Sequence, residues 1–371
     1  MPLTITQDLL QGYTADEKVL EELRAYTQNA FLAPEGSSIA GELKDEPQVA
    51  TWEAYVAAAE EYGVYQTLRK YLVQFQFPIS AGISESVDYK NATRRGQSTT
   101  LISTATGLEL EAPDTLELFL YSSIAGRIPV IVTHTREDFK SIVRALCYRN
   151  EIQELPDSMG AILIRGLNNW DRVRRVKQAA TMGQITGDWR KQRSLYQDSL
   201  IVLSRIPYSN VPASAMHLST EEWLNQSLQI RLAHECAHYF TLRHYGCMSV
   251  NMHDELIADY MGICAVQPSF RADWFLRFIG LENYPDCRVN GRIHNYLGKP
   301  PLSAVASKIL QSLLYKAAQN VAIFDEQVAT TEDPQHLRRL QTLCSLNLVE
   351  MATPNGVGRL FDVYHKISTV V

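Results

Sequence analysis

The sequence has little glycine and little proline. Its 371 residues include 19 Gly and 15 Pro, about 9% together, against roughly 12% in average proteins. Hydrophobic residues make up 46% of the chain and charged residues 20%. These values exclude a collagen-like, disordered or low-complexity chain and leave an ordinary globular protein. At roughly 100–200 residues per domain, the length predicts two or three structural units.

Long apolar runs and paired cysteine motifs are also missing. No run approaches 18 consecutive apolar residues, so we expect no membrane span. The first residues lack the basic segment and apolar segment of a secretory signal. The six cysteines are scattered and form no C-x-x-C motif, which is typical of reduced thiols. We therefore expect a cytoplasmic protein.

Neither sign of charge is in large excess. The 35 basic and 41 acidic residues give a net charge of −6, so composition indicates no nucleic-acid or membrane partner. A local basic cluster comprises Arg172, Arg174, Arg175 and Lys177 on one predicted helix. A solvated helix face is the favoured interpretation over a phosphate or nucleic-acid contact, because no aromatic residues are interleaved with these cations.

The usual nucleotide and serine-hydrolase motifs are absent. The sequence contains no G-x-G-x-x-G, no G-x-x-x-x-G-K-[ST] and no G-x-S-x-G. Their absence removes the common dinucleotide-binding, P-loop and nucleophile-elbow interpretations.

The apolar patterns predict an α+β protein that is predominantly helical. Residues 1–113 form a mainly helical N-terminal region. Residues 114–245 form an α/β part, with strands near 130, 162 and 201. Residues 246–371 form a helical C-terminal part. A small sheet thus precedes the helix that carries the most informative motif.

That motif is H-E-x-x-H, formed by His234, Glu235 and His238. Two histidines four residues apart on a helix point about 40° apart, so both imidazoles can reach one metal ion. Glu235 lies on the same side, where a carboxylate could take a proton from a metal-bound water. A capping-box serine at Ser219 and a glycine at Gly246 predict the two ends of the helix.

The following segment supplies candidates for a third ligand. Glu255 and Asp259 share one face of a predicted helix. Glu255 can be the third ligand and Asp259 the acceptor that fixes the tautomer of one histidine. His244 is the alternative ligand, since it lies ten residues after the first histidine. That alternative requires the chain to leave the helix near Thr241, where a glycine would be expected, so Glu255 is favoured.

These residues resemble the gluzincin branch of the zincin metallopeptidases, in which an E-x-x-A-D-type helix supplies the third ligand. The resemblance covers residues 219–267. It implies a zincin-like core and a Zn²⁺ ion bound by His234, His238 and Glu255. It also implies that Glu235 is the general base and that Asp259 supports one of the metal ligands without binding the metal itself. The wider chain is similar to uncharacterised bacterial proteins.

The predicted function is therefore a zinc-dependent hydrolase, most plausibly a peptidase acting on a peptide or protein. Glu235 would be the base, and a nearby donor would stabilise the oxyanion. His294 and Tyr296 are the catalytic candidates for that donor, with Arg288 and Arg292 in the same polar segment. Two alternatives stay open: a non-catalytic metal-binding or regulatory protein, and an amidase for a non-peptide substrate. The sequence does not give the oligomeric state.

Overall fold

A computed structural model of the chain describes residues 9–31, 42–328 and 336–368. In chain order its helices are α1 (Glu17–Thr27), α2 (Val49–Tyr62), α3 (Val64–Tyr71), α4 (Val87–Arg95), α5 (Arg136–Cys147), α6 (Trp170–Thr181), α7 (Thr220–Tyr245), α8 (Met252–Cys264), α9 (Ala272–Ile279), α10 (Ala304–Val328), α11 (Leu337–Ser345), α12 (Leu348–Met351) and α13 (Gly356–Ser368). Its strands are β1 (Glu117–Ser123), β2 (Gly126–Thr133), β3 (Ala161–Asn168) and β4 (Gln197–Ser204). The predicted class, α+β and predominantly helical, is confirmed. Within the described ranges, every helix is too short or too polar to cross a membrane.

The chain forms two compact units. One comprises residues 43–210, and the other joins residues 1–42 to residues 211–371. The sequence analysis divided the chain into three consecutive segments, at 113 and 245. The structure instead groups the sheet with the helices that precede it, and it places α7 with the C-terminal helices and α1.

The unit of residues 43–210 is built on a four-stranded mixed sheet of order β1-β2-β4-β3. Strands β2 and β4 are parallel and central, and the two outer pairings are antiparallel. The three predicted strands are present, and β1 is an additional one. Val130, Val132 and Val202 are fully buried. A central parallel pair is covered on both faces, which explains its nearly continuous apolar sequence.

The other unit contains a helical hairpin made by α7 and α8. Helix α7 begins at a capping box in which Ser219 and Glu222 bond reciprocally, and it ends at Gly246 in the left-handed conformation. Helix α8 is capped by Asn251, whose side chain accepts two backbone N–H bonds. At Gly262 a Cβ atom would lie 2.9 Å from the carbonyl oxygen of Ile230. The missing side chain therefore lets the two helices approach closely.

A buried polar network fixes α8 against α10. Asp325 of α10 is fully buried and accepts a hydrogen bond from the Tyr260 hydroxyl of α8. It also accepts from the Phe270 amide at 2.7 Å and from the Arg339 guanidinium at 2.9 Å. A buried carboxylate needs such partners, and here they hold α8 in place beside α7.

Candidate metal centre

Three predicted ligands converge between α7 and α8. The Nε2 atoms of His234 and His238 lie 3.1 Å apart. The carboxylate of Glu255 lies 3.8 Å from the first of these atoms and 3.6 Å from the second. The two histidines are 7% exposed and Glu255 is 4% exposed. This buried cluster could hold a metal ion.

Each histidine directs its other ring nitrogen to a carboxylate of α8. Nδ1 of His234 donates a hydrogen bond to Asp259 at 2.9 Å, so the histidine that Asp259 orients is His234. Nδ1 of His238 lies 3.3 Å from Oδ1 of Asp254, close enough for an ion pair but outside hydrogen-bond geometry. The hydrogen bond to Asp259 fixes the His234 tautomer that leaves Nε2 free for a metal.

The sequence analysis did not predict the position of Asp254 at the centre. At the start of α8 only its backbone amide takes part in the cap, by donating a hydrogen bond to the Asn251 side chain. The signal that could have revealed it is the antiparallel register of the hairpin. His234 faces Asp259, and four residues later His238 faces Asp254 and Glu255.

The short 3₁₀ turn Arg292–Tyr296 packs against the same carboxylates. The Arg292 guanidinium contacts Asp259 and lies 3.8 Å from Glu255. The Tyr296 hydroxyl is hydrogen-bonded to Glu255, and burial together with this carboxylate raises the pKa of the phenol. Arg292 and Tyr296 therefore hold the third ligand in place.

Helix α1 supports this turn from a distant part of the sequence. The Tyr26 hydroxyl donates to the carbonyl oxygen of Tyr296 at 2.6 Å and accepts from the amide of Met252 at 2.9 Å. One side chain thus ties the 3₁₀ turn to the first residue of α8.

Three other candidates from the sequence lie elsewhere. His294 is exposed, and its Nε2 lies 3.6 Å from the Cys287 sulfur. Successive residues of a 3₁₀ turn rotate by about 120°, so His294 does not point in the direction of Arg292. Arg288 donates to the carbonyl oxygen of Arg277. His244 remains within α7, packed on aromatic rings, because the helix continues past Thr241.

The pKa values at the centre reflect opposing effects of burial and charge. Burial raises the pKa of Glu255, but His238, His234 and Arg292 together lower it to about 2. Burial lowers the pKa of His238, but Asp254 and Glu255 raise it well above 6.5. In the absence of a metal, these shifts favour an ionised Glu255 and a protonated His238 at neutral pH.

Glu235 follows His234 directly on α7. It is 7% exposed on α7, between the two histidines. Its neighbour Cys236 is buried, as expected of a small apolar residue on the core side. A carboxylate in this position can exchange a proton with a group bound at the centre.

Comparison with known proteins identifies a family to which no activity is assigned. The profile of a family described as a family of unknown function, DUF7005, matches residues 8–355. No curated protein and no solved structure matches the chain. The resemblance to gluzincins therefore stays a prediction, and any function has to be argued from the geometry of the centre.

Proposed function

The chain belongs to this family of unknown function, and from its candidate metal centre we propose that the protein is a zinc-dependent hydrolase acting on peptide bonds. The observation that carries the proposal is the convergence of His234, His238 and Glu255. Its support is that both histidines face a carboxylate with their other nitrogen. Chance pairs of histidines on a helix have no reason to show that orientation.

The donor set fits zinc. Tetrahedral ligands at about 2.1 Å from zinc lie about 3.4 Å from one another, and the donor atoms here are 3.1, 3.6 and 3.8 Å apart. Oε2 of Glu255 is buried without a hydrogen-bond partner among the described residues. Two imidazoles and one carboxylate are the ligands of known catalytic zinc sites that keep a fourth position open.

The chemistry that zinc supplies when bound is Lewis acidity, which polarises a carbonyl oxygen and lowers the pKa of water toward 7. Glu235 accepts the proton of the attacking water and returns it to the leaving amine. Arg292 and Tyr296 keep Glu255 oriented, so they act as positioning residues. His294, which the structure places at Cys287, is not part of this proposal.

The proposed substrate is a peptide or protein, and the proposed compartment is the cytoplasm. All six cysteines are free thiols, which supports a reducing environment.

Metal analysis of the purified protein tests the centre. We expect about one zinc per chain after purification without chelator, and less than about 0.2 would contradict the site. The Glu255→Ala variant should lose the metal, whereas the His244→Ala variant should retain it. The opposite result would assign His244 as the third ligand.

The Glu235→Gln variant tests the activity. It should keep its zinc and lose turnover on a peptide library, by about 10²–10⁴-fold for the loss of a general base. Unchanged turnover would contradict the role of Glu235. A zinc-loaded wild type without peptide turnover would instead favour a non-catalytic role or a non-peptide amide substrate.

A further inference from the structure

A positively charged stretch of sequence lies in the unit that contains the sheet. Residues 165–196 hold eight Lys or Arg and two Asp, whereas the whole chain has a net charge of −6. Such a local asymmetry of charge indicates an acidic partner when the fold gathers the cations on one surface. The question is therefore where these side chains lie.

The fold brings the two halves of this stretch together. The 3₁₀ turns Trp189–Lys191 and Arg193–Leu195 pack beside α6. Arg172 of α6 is buried and donates to the carbonyl oxygens of Ser194 at 2.6 Å and Gln197 at 3.0 Å. Arg172 is thus a structural anchor that fixes the turns against the helix.

The other cations of the two elements are exposed. We call them the basic surface: Arg174, Arg175, Lys177, Arg190, Lys191 and Arg193. Asp171 lies mostly buried on the same helix, where it accepts from the Tyr55 hydroxyl at 3.1 Å and pairs with Arg175 at 2.6 Å. Asp188 is the other acid, and it caps the first 3₁₀ turn. The surface therefore keeps a clear positive excess.

Aromatic rings lie among these cations. Trp189 is half-buried, with the Arg190 guanidinium 5.8 Å from its ring and the Tyr196 ring 5.9 Å away, edge-on. The Tyr196 hydroxyl donates to the carbonyl oxygen of Arg190 at 2.8 Å and fixes this arrangement. The sequence favoured a solvated helix face because α6 carries no interleaved aromatics. The structure supplies them from the neighbouring turns.

We propose that the basic surface binds single-stranded nucleic acid, with the cations contacting phosphates and a base stacking on Trp189. Single strands are bound in this way by positive grooves that contain aromatic side chains, with little dependence on sequence. An acidic peptide or an anionic membrane would use the cations but has no need of the half-exposed indole. This proposal is independent of the metal centre, so either can fail alone.

Fluorescence anisotropy with the full-length protein and a labelled oligothymidylate of about 20 nucleotides tests it. Six phosphate contacts predict a slope of about −4 for log affinity against log salt, so binding should weaken about 250-fold between 50 and 200 mM KCl. The same titration with polyglutamate and with phosphatidylserine vesicles measures the competing partners.

Matched charge reversals locate the site. The triple variant Lys177→Glu, Lys191→Glu, Arg193→Glu should weaken binding at least about 10-fold and halve the salt slope. The control triple variant Lys18→Glu, Lys308→Glu, Lys366→Glu changes three exposed lysines of the other unit. It should bind like the wild type.

The indole has its own test. Trp189→Ala should weaken binding about 5- to 150-fold with an unchanged salt slope, and Trp189→Phe should restore most of it. Equal affinity of the two triple variants would overturn the proposal. So would binding of polyglutamate or vesicles as tight as that of the oligonucleotide together with an unaffected Trp189→Ala variant. All of these substitutions are at exposed or half-exposed positions, and circular dichroism checks that the fold is kept.

Discussion

Zinc binding to the metal-free protein at pH 7 is expected to release about one proton per site. The perturbation is the metal itself, added to protein from which it has been stripped. The proton comes from His238, whose Nε2 is one of the three converging donor atoms. An imidazole nitrogen must be deprotonated before it can bind a metal.

The magnitude follows from the buried charges of the centre. Asp254, Glu255 and Asp259 are buried carboxylates, and Arg292 is the cation that contacts two of them. Burial lowers the pKa of His238, but the neighbouring carboxylates raise it well above 6.5. The metal-free centre therefore keeps a proton on this ring at pH 7, and that proton offsets part of the negative charge. Zinc brings two positive charges, so it replaces the proton.

The sign of the pH dependence is fixed by the same shift. Below the raised pKa of His238, zinc competes with a proton, and each pH unit lower weakens binding about tenfold, about 1.4 kcal/mol. Titration calorimetry in Pipes, Hepes and Tris at one pH gives the number of protons released. The quantity is the slope of the measured enthalpy against the ionisation enthalpy of the buffer. A slope of zero at pH 7 would refute the reasoning.

The Asp254→Asn variant separates the two roles of this carboxylate. It should release fewer protons, since the charge that holds the proton on His238 is gone. It should also bind zinc about 10–100-fold more weakly, because the imidazole loses its orienting partner. Glu221→Gln, at an exposed position in the first turn of α7, should change neither quantity. Unaltered proton release in Asp254→Asn would contradict the assignment.

Three further changes test the surroundings of the centre. Gly262→Ala should destabilise the protein by about 1–3 kcal/mol in urea unfolding and weaken zinc binding, since its Cβ would meet Ile230 at 2.9 Å; an unchanged midpoint would argue against close packing of α7 and α8. Asp325→Ala should cost about 3–5 kcal/mol because it removes the buried carboxylate that pairs with Arg339, whereas Asp362→Ala, at an exposed site, should have little effect. In metal-free protein, the lowered pKa of Glu255 stabilises the fold above the unfolded value of about 4.3. That stability is lost as the pH falls toward 2, so a Glu255→Gln variant should show a flatter acid limb in unfolding experiments.

The parts of the fold that repeat a local pattern could be predicted from sequence. The capping box at Ser219 and the glycine at Gly246 gave both ends of α7. The apolar runs near residues 130, 162 and 201 predicted strands β2, β3 and β4. Strand β1 was missed although it carries the apolar run Leu118–Tyr121; only Leu118 and Ser123 of this strand are buried.

The convergence of the three candidate ligands was predictable for the same reason, and the contacts that support them were not. His234, His238 and Glu255 follow from helix periodicity across one short link. The Tyr26 hydroxyl bond to Tyr296 spans 270 positions in sequence, and no local pattern reports such a contact. His294 was predicted from the chemistry of its imidazole alone. The 3₁₀ turn directs this side chain toward Cys287 instead of the centre.

The burial of α8 gives an argument for the metal that does not depend on the motif. All but one of the residues from Met252 to Cys264 are buried, and three of them are the carboxylates of the centre. Burying an ionised carboxylate is unfavourable unless cations compensate it. Arg292 contacts two of these carboxylates and compensates one charge. A divalent cation would compensate the other two, so the buried negative charge of α8 by itself favours a metal-bound state.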